Sequence, residues 1–124
     1  MPLVLVMLGG ALGSGARHLV GRATLHLLGP AFPYGTLAVN LIGGVLMGLL
    51  VGSLARFGSG GETWRLFLGV GVLGGFTTFS SFSLDAVTMM ERGAAPLALA
   101  YVLVSVAGSI LALAGGLALA RGMA

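Results

Sequence analysis

The sequence predicts an all-α membrane protein with four transmembrane helices, and three observations lead to this fold class. The 124 residues are 57% hydrophobic and only 7% charged, whereas a soluble domain carries roughly 25% charged residues. The mean hydropathy is +1.10. Long charge-free stretches approach the roughly 20 apolar residues that a helix needs to cross a bilayer core. A domain this small could not hide so much apolar surface from water, because small folds bury a limited fraction of their area.

The predicted spans form one transmembrane domain with short connections. They cover about residues 2–24, 33–55, 65–90 and 95–120. Arg17 interrupts the first span, so its guanidinium either snorkels to the interface or faces protein. The glycine-rich segment 58–62 is typical of a flexible turn. No positive charge precedes the apolar N-terminus, so we expect a retained first helix rather than a cleaved signal peptide.

The arginines do not decide the orientation of the chain. Half of them lie on the side of the N-terminus and half on the other side, in the first and third connections. The first group is Arg56, Arg65 and Arg121, and the second is Arg17, Arg22 and Arg92. The positive-inside rule therefore gives a tie. Two interpretations stay open: an orientation set by something else, or dual topology, in which one chain inserts both ways and pairs antiparallel.

Several functional classes lack their signals in this sequence. There is no cysteine, so disulfides and thiolate metal sites are excluded. The arginines are scattered singly, which does not suit nucleic-acid binding. His18 and His26 have no neighbouring acid to complete a metal site. The glycine-rich run 9–17 lacks the Lys-Ser/Thr of a P-loop, and no nucleophile, base and orienting group occur together. We therefore expect a protein that is not an enzyme.

Small residues at four-residue spacing predict close helix packing. Such spacing lets helix backbones approach each other in lipid. It occurs in the first, second and fourth spans, at Gly9 and Gly13, at Gly44, Gly48 and Gly52, and at Ala112, Gly116 and Ala120. A bundle of four such helices encloses little interior, so we expect it to form an oligomer.

Two spans carry polar side chains along one helix face. Asn40 lies near the centre of the second span, one turn after Thr36. Tyr101, Ser105 and Ser109 recur at four-residue spacing in the fourth span, as a ladder about 12 Å long. Polar groups in hydrocarbon usually mark a pathway or an interhelical hydrogen bond. For Asn40 both interpretations stay open, whereas three hydroxyls on one face favour a polar track.

The densest polar patch is GGFTTFSSFSLD at residues 74–85. Gly74 and Gly75 weaken the helix, and the hydroxyl side chains compete for its backbone groups. Backbone freed by a break at this depth is tolerated only in protein or beside water, and broken helices commonly form ion sites there. The sequence therefore predicts an ion site, with a kinked packing helix as the alternative.

The available groups favour an anion. No carboxylate lies inside a predicted span, since Asp85 is at an edge and Glu62 and Glu91 lie in connections. Hydroxyls, an asparagine amide and the electropositive edges of phenyl rings remain. These groups do not identify which anion.

Three segments resemble the CrcB/Fluc family of fluoride channels. They are GGALGSGARH at 9–18, GTLAVNLIGG at 35–44 and GVLGGFTTFSSFS at 71–83, and the resemblance covers nearly the whole chain. It implies an antiparallel, dual-topology homodimer with two pores in a bacterial or archaeal plasma membrane. Each pore would pass fluoride passively and exclude chloride, lowering fluoride toxicity in the cytoplasm.

The resemblance also implies roles for individual residues. The main-chain carbonyls of Gly74 and Thr77 would bind a structural sodium ion between the two chains. Phe79 and Phe82 would line the pores. Asn40 would be the pore asparagine, and Arg17 would lie near the vestibule. The hydroxyl track would comprise Thr36, Ser80, Tyr101, Ser105 and Ser109. His18 departs from the family pattern, in which a bulky or aromatic residue commonly follows the arginine.

Alternatives to this assignment stay open. Some family members pair as heterodimers of unlike chains, and the arginine tie favours self-pairing. A small multidrug exporter also has four spans and dual topology, but it would need a glutamate in the first span, which residues 1–16 lack. A non-transporting assembly subunit would not need such dense polar faces.

Overall fold

The computed structural model describes residues 2–55 and 61–122, and their regular structure is helical throughout. The first two helices are α1 (Pro2–Leu28) and α2 (Tyr34–Leu54). The third span, Gly61–Glu91, contains α3 (Gly61–Trp64), a π-helical segment (Arg65–Leu73), α4 (Gly74–Phe76) and α5 (Phe79–Glu91). The last helix is α6 (Ala95–Gly122). Within residues 2–55 and 61–122, four spans are long and apolar enough to cross a membrane, which confirms the predicted all-α membrane architecture.

The helix bounds extend beyond the predicted spans most clearly at the end of the first span and at the start of the third. α1 ends at Leu28. The next residue, Gly29, has a φ of 82°, a left-handed conformation that favours glycine after a helix. Arg17 and Arg22 both lie inside α1 and not in the first connection, to which the comparison of arginines on the two sides assigned them. In the predicted turn at 58–62, Gly61 and Glu62 instead begin α3. Residues 58–60 of that turn, and Arg56, lie outside the described residues.

Glycine contacts hold the helices in two closely packed pairs. A Cβ on Gly48 of α2 would overlap the backbone carbonyl of Leu113 in α6. A Cβ on Gly13 of α1 would likewise overlap the Val72 carbonyl in the π-helical segment. The small-residue spacing thus lies at the helix contacts, as predicted. Backbone contact at this range is the main means of helix association in lipid, where burial of apolar side chains gives little advantage.

An aromatic cluster joins α5 to α6 near the end of the third span. The Tyr101 ring is completely buried, with its centroid 5.2 Å from that of Phe82 and 5.3 Å from that of Phe32. The contact with Phe32 is edge-to-face, at 86°. Met89 and Ala98 complete this buried cluster. Because α5 is anchored to α6 in this way, the helix break just before α5 has a fixed position.

Candidate ion pathway

The third span breaks at two threonines. Thr77 (φ −85°, ψ 159°) and Thr78 (φ −153°, ψ 126°) are both extended, between the end of α4 and the start of α5. The Ser81 amide donates a hydrogen bond of 3.2 Å to Thr78 Oγ1. Thr78 is therefore the N-cap of α5, a position that threonine favours because its oxygen satisfies a free amide of the first turn.

Asn40 clamps this break from the neighbouring helix. Its Nδ2 donates to the Thr78 carbonyl at 3.0 Å, and its Oδ1 accepts from the Thr78 amide at 2.8 Å. Both backbone groups of one extended residue are thus satisfied by one side chain. An asparagine amide supplies the required donor and acceptor together, which a carboxylate or hydroxyl cannot do in the same geometry.

The break diverts the amides that would bond two backbone carbonyls. In a continuous α-helix, the Gly74 carbonyl would accept from the amide of Thr78, and the Thr77 carbonyl from that of Ser81. The Thr78 amide instead donates to Asn40, and the Ser81 amide to Thr78 Oγ1. The Gly74 and Thr77 carbonyls therefore lose these helical donors, and they belong to the two residues that the family resemblance implies as sodium ligands.

Arg17 bonds to a third carbonyl at the break. Its Nε donates to the Gly75 carbonyl at 3.1 Å, which joins α1 to α4. Gly75 also packs closely against the backbone of Gly10, where a Cβ would collide. The arginine is tolerated in the middle of an apolar helix because its charge faces protein backbone rather than lipid.

The main cavity beside the break brings together most of the predicted anion-pathway residues. It measures about 440 Å³ and lies between α2, α5 and α6. Its lining includes Asn40, Thr77, Phe79, Phe82, Ser105 and Ser109. Ser105 is 4% exposed, and its hydroxyl has no hydrogen-bond partner among the described residues. A buried hydroxyl without a protein partner is costly, so the Ser105 hydroxyl is a candidate hydrogen-bond donor to a ligand in this cavity.

Phe79 and Phe82, the two phenylalanines predicted to line the pore, differ in their surroundings. Phe82 is buried, whereas Phe79 is 76% exposed in the single chain. Their ring centroids are 5.4 Å apart at an angle of 51°. Both residues line the main cavity, and the edge of a phenyl ring carries the positive part of its quadrupole.

Other predicted residues lie outside this cavity. Ser80 is exposed, and its Oγ lies 3.3 Å from Thr78 Oγ1. Tyr101 lies in the aromatic cluster, and its hydroxyl donates to Asp85 Oδ2 at 3.1 Å. Asp85 was not among the predicted site residues, because only tertiary packing brings it to a tyrosine 16 positions away.

Two further cavities extend from the break toward the connection between α1 and α2. The first, of about 260 Å³, is lined by Arg17, Thr36 and Thr78, among others. The second, of about 400 Å³, shares Thr36 with it and adds Asp85 and Arg92. Thr78 also lines the main cavity. The three cavities thus share lining residues with one another.

Gly74, at the break, is exposed. No cluster of three acidic, histidine or cysteine side chains suited to a metal ion occurs in the described parts of the chain.

Comparison with known proteins identifies close relatives over nearly the full length. The model of the CrcB-like protein, Camphor Resistance (CrcB) family matches residues 4–117. A protein of Sphingopyxis alaskensis named fluoride-specific ion channel FluC is 59% identical over 94% of this chain and 92% of its own length. A FluC of Chelativorans sp. is 62% identical over 96% of this chain and 95% of its own. One of Agrobacterium fabrum is 55% identical, covering 98% and 97%.

Proposed function

The chain belongs to the CrcB-like family, and we propose on that basis that it is a fluoride-specific ion channel. It conducts fluoride passively out of the cytoplasm and so lowers fluoride toxicity. The relatives that share more than half of its residues are named as channels of this kind. They are channels rather than enzymes, in agreement with the absence of a catalytic set in the sequence.

The observation that carries the proposal is the unpartnered Ser105 hydroxyl in the main cavity. It lies on the same helix face as Ser109, one turn away, opposite the clamp made by Asn40. A dehydrated anion needs several donors in place of its water shell. Hydroxyls can rotate to donate, and Asn40 Nδ2 carries a second hydrogen besides the one bonded to Thr78.

The charge of the lining also suits an anion. The main cavity has no Asp or Glu among its lining residues. Asp85 lies at the Thr36 and Tyr101 end of the predicted track, where its carboxylate accepts a hydrogen bond from the Tyr101 hydroxyl. We assign fluoride to a path along Thr36, Tyr101, Ser105 and Ser109, with Phe79 and Phe82 at its side. Ser80 lies at the head of α5, within reach of Thr78, and Arg17 supplies positive charge near the break.

A structural sodium ion fits the backbone at the break. The helical donors of the Gly74 and Thr77 carbonyls, the amides of Thr78 and Ser81, bond to side-chain oxygens instead. Sodium is a hard cation that takes oxygen ligands, as calcium and magnesium do. Two carbonyls from each of two chains supply four oxygens without any carboxylate. The ion holds the subunits together when bound and is not transported.

The same carbonyls favour an antiparallel dimer. Gly74 is exposed in the single chain, and a freed carbonyl cannot face hydrocarbon without a cost of several kcal/mol. Phe79 is also largely exposed beside the cavity. A second copy of the chain covers both the Gly74 carbonyl and the Phe79 ring. We propose a homodimer with one subunit in each orientation, with a heterodimer as the alternative outcome of the test.

Liposomes that contain only this chain provide the test. We expect rapid fluoride efflux, read with a fluoride electrode, and no chloride efflux above that of protein-free liposomes. Ser105→Ala should lower fluoride efflux several-fold. The matched control is Ser83→Ala, because the Ser83 hydroxyl bonds the Phe79 carbonyl on its own helix and lines none of the three cavities. Absence of fluoride efflux from the unmodified protein would refute the proposed function.

The oligomer is tested separately. The chain has no cysteine, so Gly122→Cys creates a single labelling site at the end of α6. Labelling by an impermeant maleimide from both sides of the membrane supports dual topology. Labelling from one side only would exclude it and favour pairing with an unlike chain.

A further inference from the structure

The 260 Å³ cavity between α1, α2 and α5, here called the basic cavity, has only basic side chains among its ionisable lining residues. Its ionisable lining residues are Arg17, His18 and Arg22, all from α1. The facing elements contribute the hydroxyls of Thr36 and Ser81 among others and no ionisable group. None of the three acidic residues of the chain lines it. Low-dielectric walls around charges of one sign concentrate the opposite ion.

The two arginines of this cavity have different surroundings. Arg17 is partly buried and tied to the break through its bond to the Gly75 carbonyl. Arg22 is exposed on α1, and no carboxylate forms an ion pair with it in the parts of the chain that the structure describes. His18 precedes it by four residues and thus lies on the same helix face. Arg22 therefore has its charge free for a ligand.

The basic cavity adjoins the proposed fluoride path. It shares Thr78 with the main cavity and Thr36 with the cavity that holds Asp85. An anion held beside Arg22 is thus in a cavity that shares lining residues with both of the others. The alternative role for Arg22 is to anchor α1 at the membrane interface by snorkelling, which predicts an effect on stability but none on fluoride entry.

We infer that Arg22 captures fluoride in the basic cavity and raises its local concentration before it enters the main cavity. The inference rests on the proposed function. Arg22 acts there by long-range attraction, whereas Arg17 positions the break. His18 adds an N–H donor on the same side, which gives a role to a residue that departs from the family pattern.

Fluoride efflux at two ionic strengths tests this inference. Interactions between exposed charges extend about 30 Å at 0.01 M salt and about 3 Å at 1 M. We expect Arg22→Gln to lower the initial efflux rate about tenfold at 0.01 M impermeant salt. At 1 M the loss should shrink to about twofold or less, because salt screens the missing charge in both proteins. Arg22→Lys keeps the charge and should stay within about twofold of the unmodified protein in both conditions.

Arg121→Gln is the matched control, because it removes the same charge from the last turn of α6, away from the three cavities. Its efflux should equal that of the unmodified protein. Equal rates for Arg22→Gln and the unmodified protein at 0.01 M salt would overturn the inference. So would an equal loss at both ionic strengths, which would assign Arg22 a structural role. If Arg22→Gln does not fold, the Arg22→Lys variant takes its place. A tenfold loss of its initial fluoride efflux rate at 0.01 M salt would also overturn the inference. Failure of the unmodified protein to conduct would instead overturn the proposed function.

Discussion

Replacement of Asn40 by aspartate tests the charge and the geometry of the pathway together. The substitution keeps an acceptor for the Thr78 amide but replaces the Nδ2 donor, which bonds the Thr78 carbonyl at 3.0 Å, with an oxygen. The carbonyl then loses its partner and faces a second oxygen. A hydrogen bond of this kind between membrane helices is worth about 0.6 kcal/mol on average and up to about 1.7 kcal/mol. The added negative charge lies on the lining of the main cavity.

The electrostatic effect on fluoride is larger than the effect on the clamp. Two unit charges of the same sign about 4 Å apart repel by about 4 kcal/mol at an effective dielectric constant of 20. Because each 1.4 kcal/mol is about a tenfold change, the repulsion alone lowers fluoride occupancy about a thousandfold. We therefore expect Asn40→Asp to bring efflux to the level of protein-free liposomes.

Asn40→Ala separates the two effects. It removes both bonds to Thr78 but adds no charge. Hydrogen bonds between membrane helices are worth about 0.6 kcal/mol on average and up to about 1.7, so we expect roughly a tenfold loss of efflux with the fold retained. Efflux is measured with a fluoride electrode on liposomes, and folding by thermal unfolding in detergent. Equal efflux from the Asp and Ala variants would refute the charge argument, and undiminished efflux from Asn40→Asp would remove Asn40 from the pathway.

Three further predictions follow from packing, from a buried hydrogen bond and from the cation. Gly48→Ala should destabilise the protein by about 1–3 kcal/mol, because the new methyl group overlaps the Leu113 carbonyl. Gly115→Ala should not destabilise it, because nothing lies within 4 Å of the added Cβ. Thermal unfolding of the two variants compares their stabilities. Tyr101→Phe should keep the fold but lower fluoride efflux several-fold, since the Asp85 carboxylate loses the donor at 3.1 Å; wild-type efflux from this variant would contradict its place on the track. Replacement of all sodium by a large organic cation should weaken the dimer or slow fluoride efflux, while chloride stays excluded. Chloride efflux under these conditions would argue against a purely structural role for the sodium ion.

Parts of the site could be predicted because membrane residues obey simple rules. A hydroxyl or amide inside an apolar span must be bonded to something, so Asn40, Ser105 and Ser109 stood out by contrast with their neighbours. The main cavity contains all three. Paired glycines followed by threonines indicated a break, and the structure has extended residues at Thr77 and Thr78.

Other features depend on contacts between residues far apart in the chain. The bond from Arg17 to the Gly75 carbonyl spans 58 positions, and the clamp between Asn40 and Thr78 spans 38. No local pattern specifies which carbonyl an arginine will reach. The sequence places Asp85 at the edge of a predicted charge-free span, and only the packing of α5 on α6 brings its carboxylate to the Tyr101 hydroxyl.

The sequence by itself determined the membrane environment, the number of spans, the small-residue faces and the family, because these depend on composition, length and short motifs. The tertiary structure decided which polar groups have partners. It diverts the amides that would bond the carbonyls of Gly74 and Thr77, satisfies Thr78 through Asn40, and leaves the Ser105 hydroxyl unpartnered in a cavity. The physical reason is that hydrogen-bond satisfaction in a membrane depends on which helices touch, and helix contact is set by backbone packing at residues such as Gly48 and Gly13.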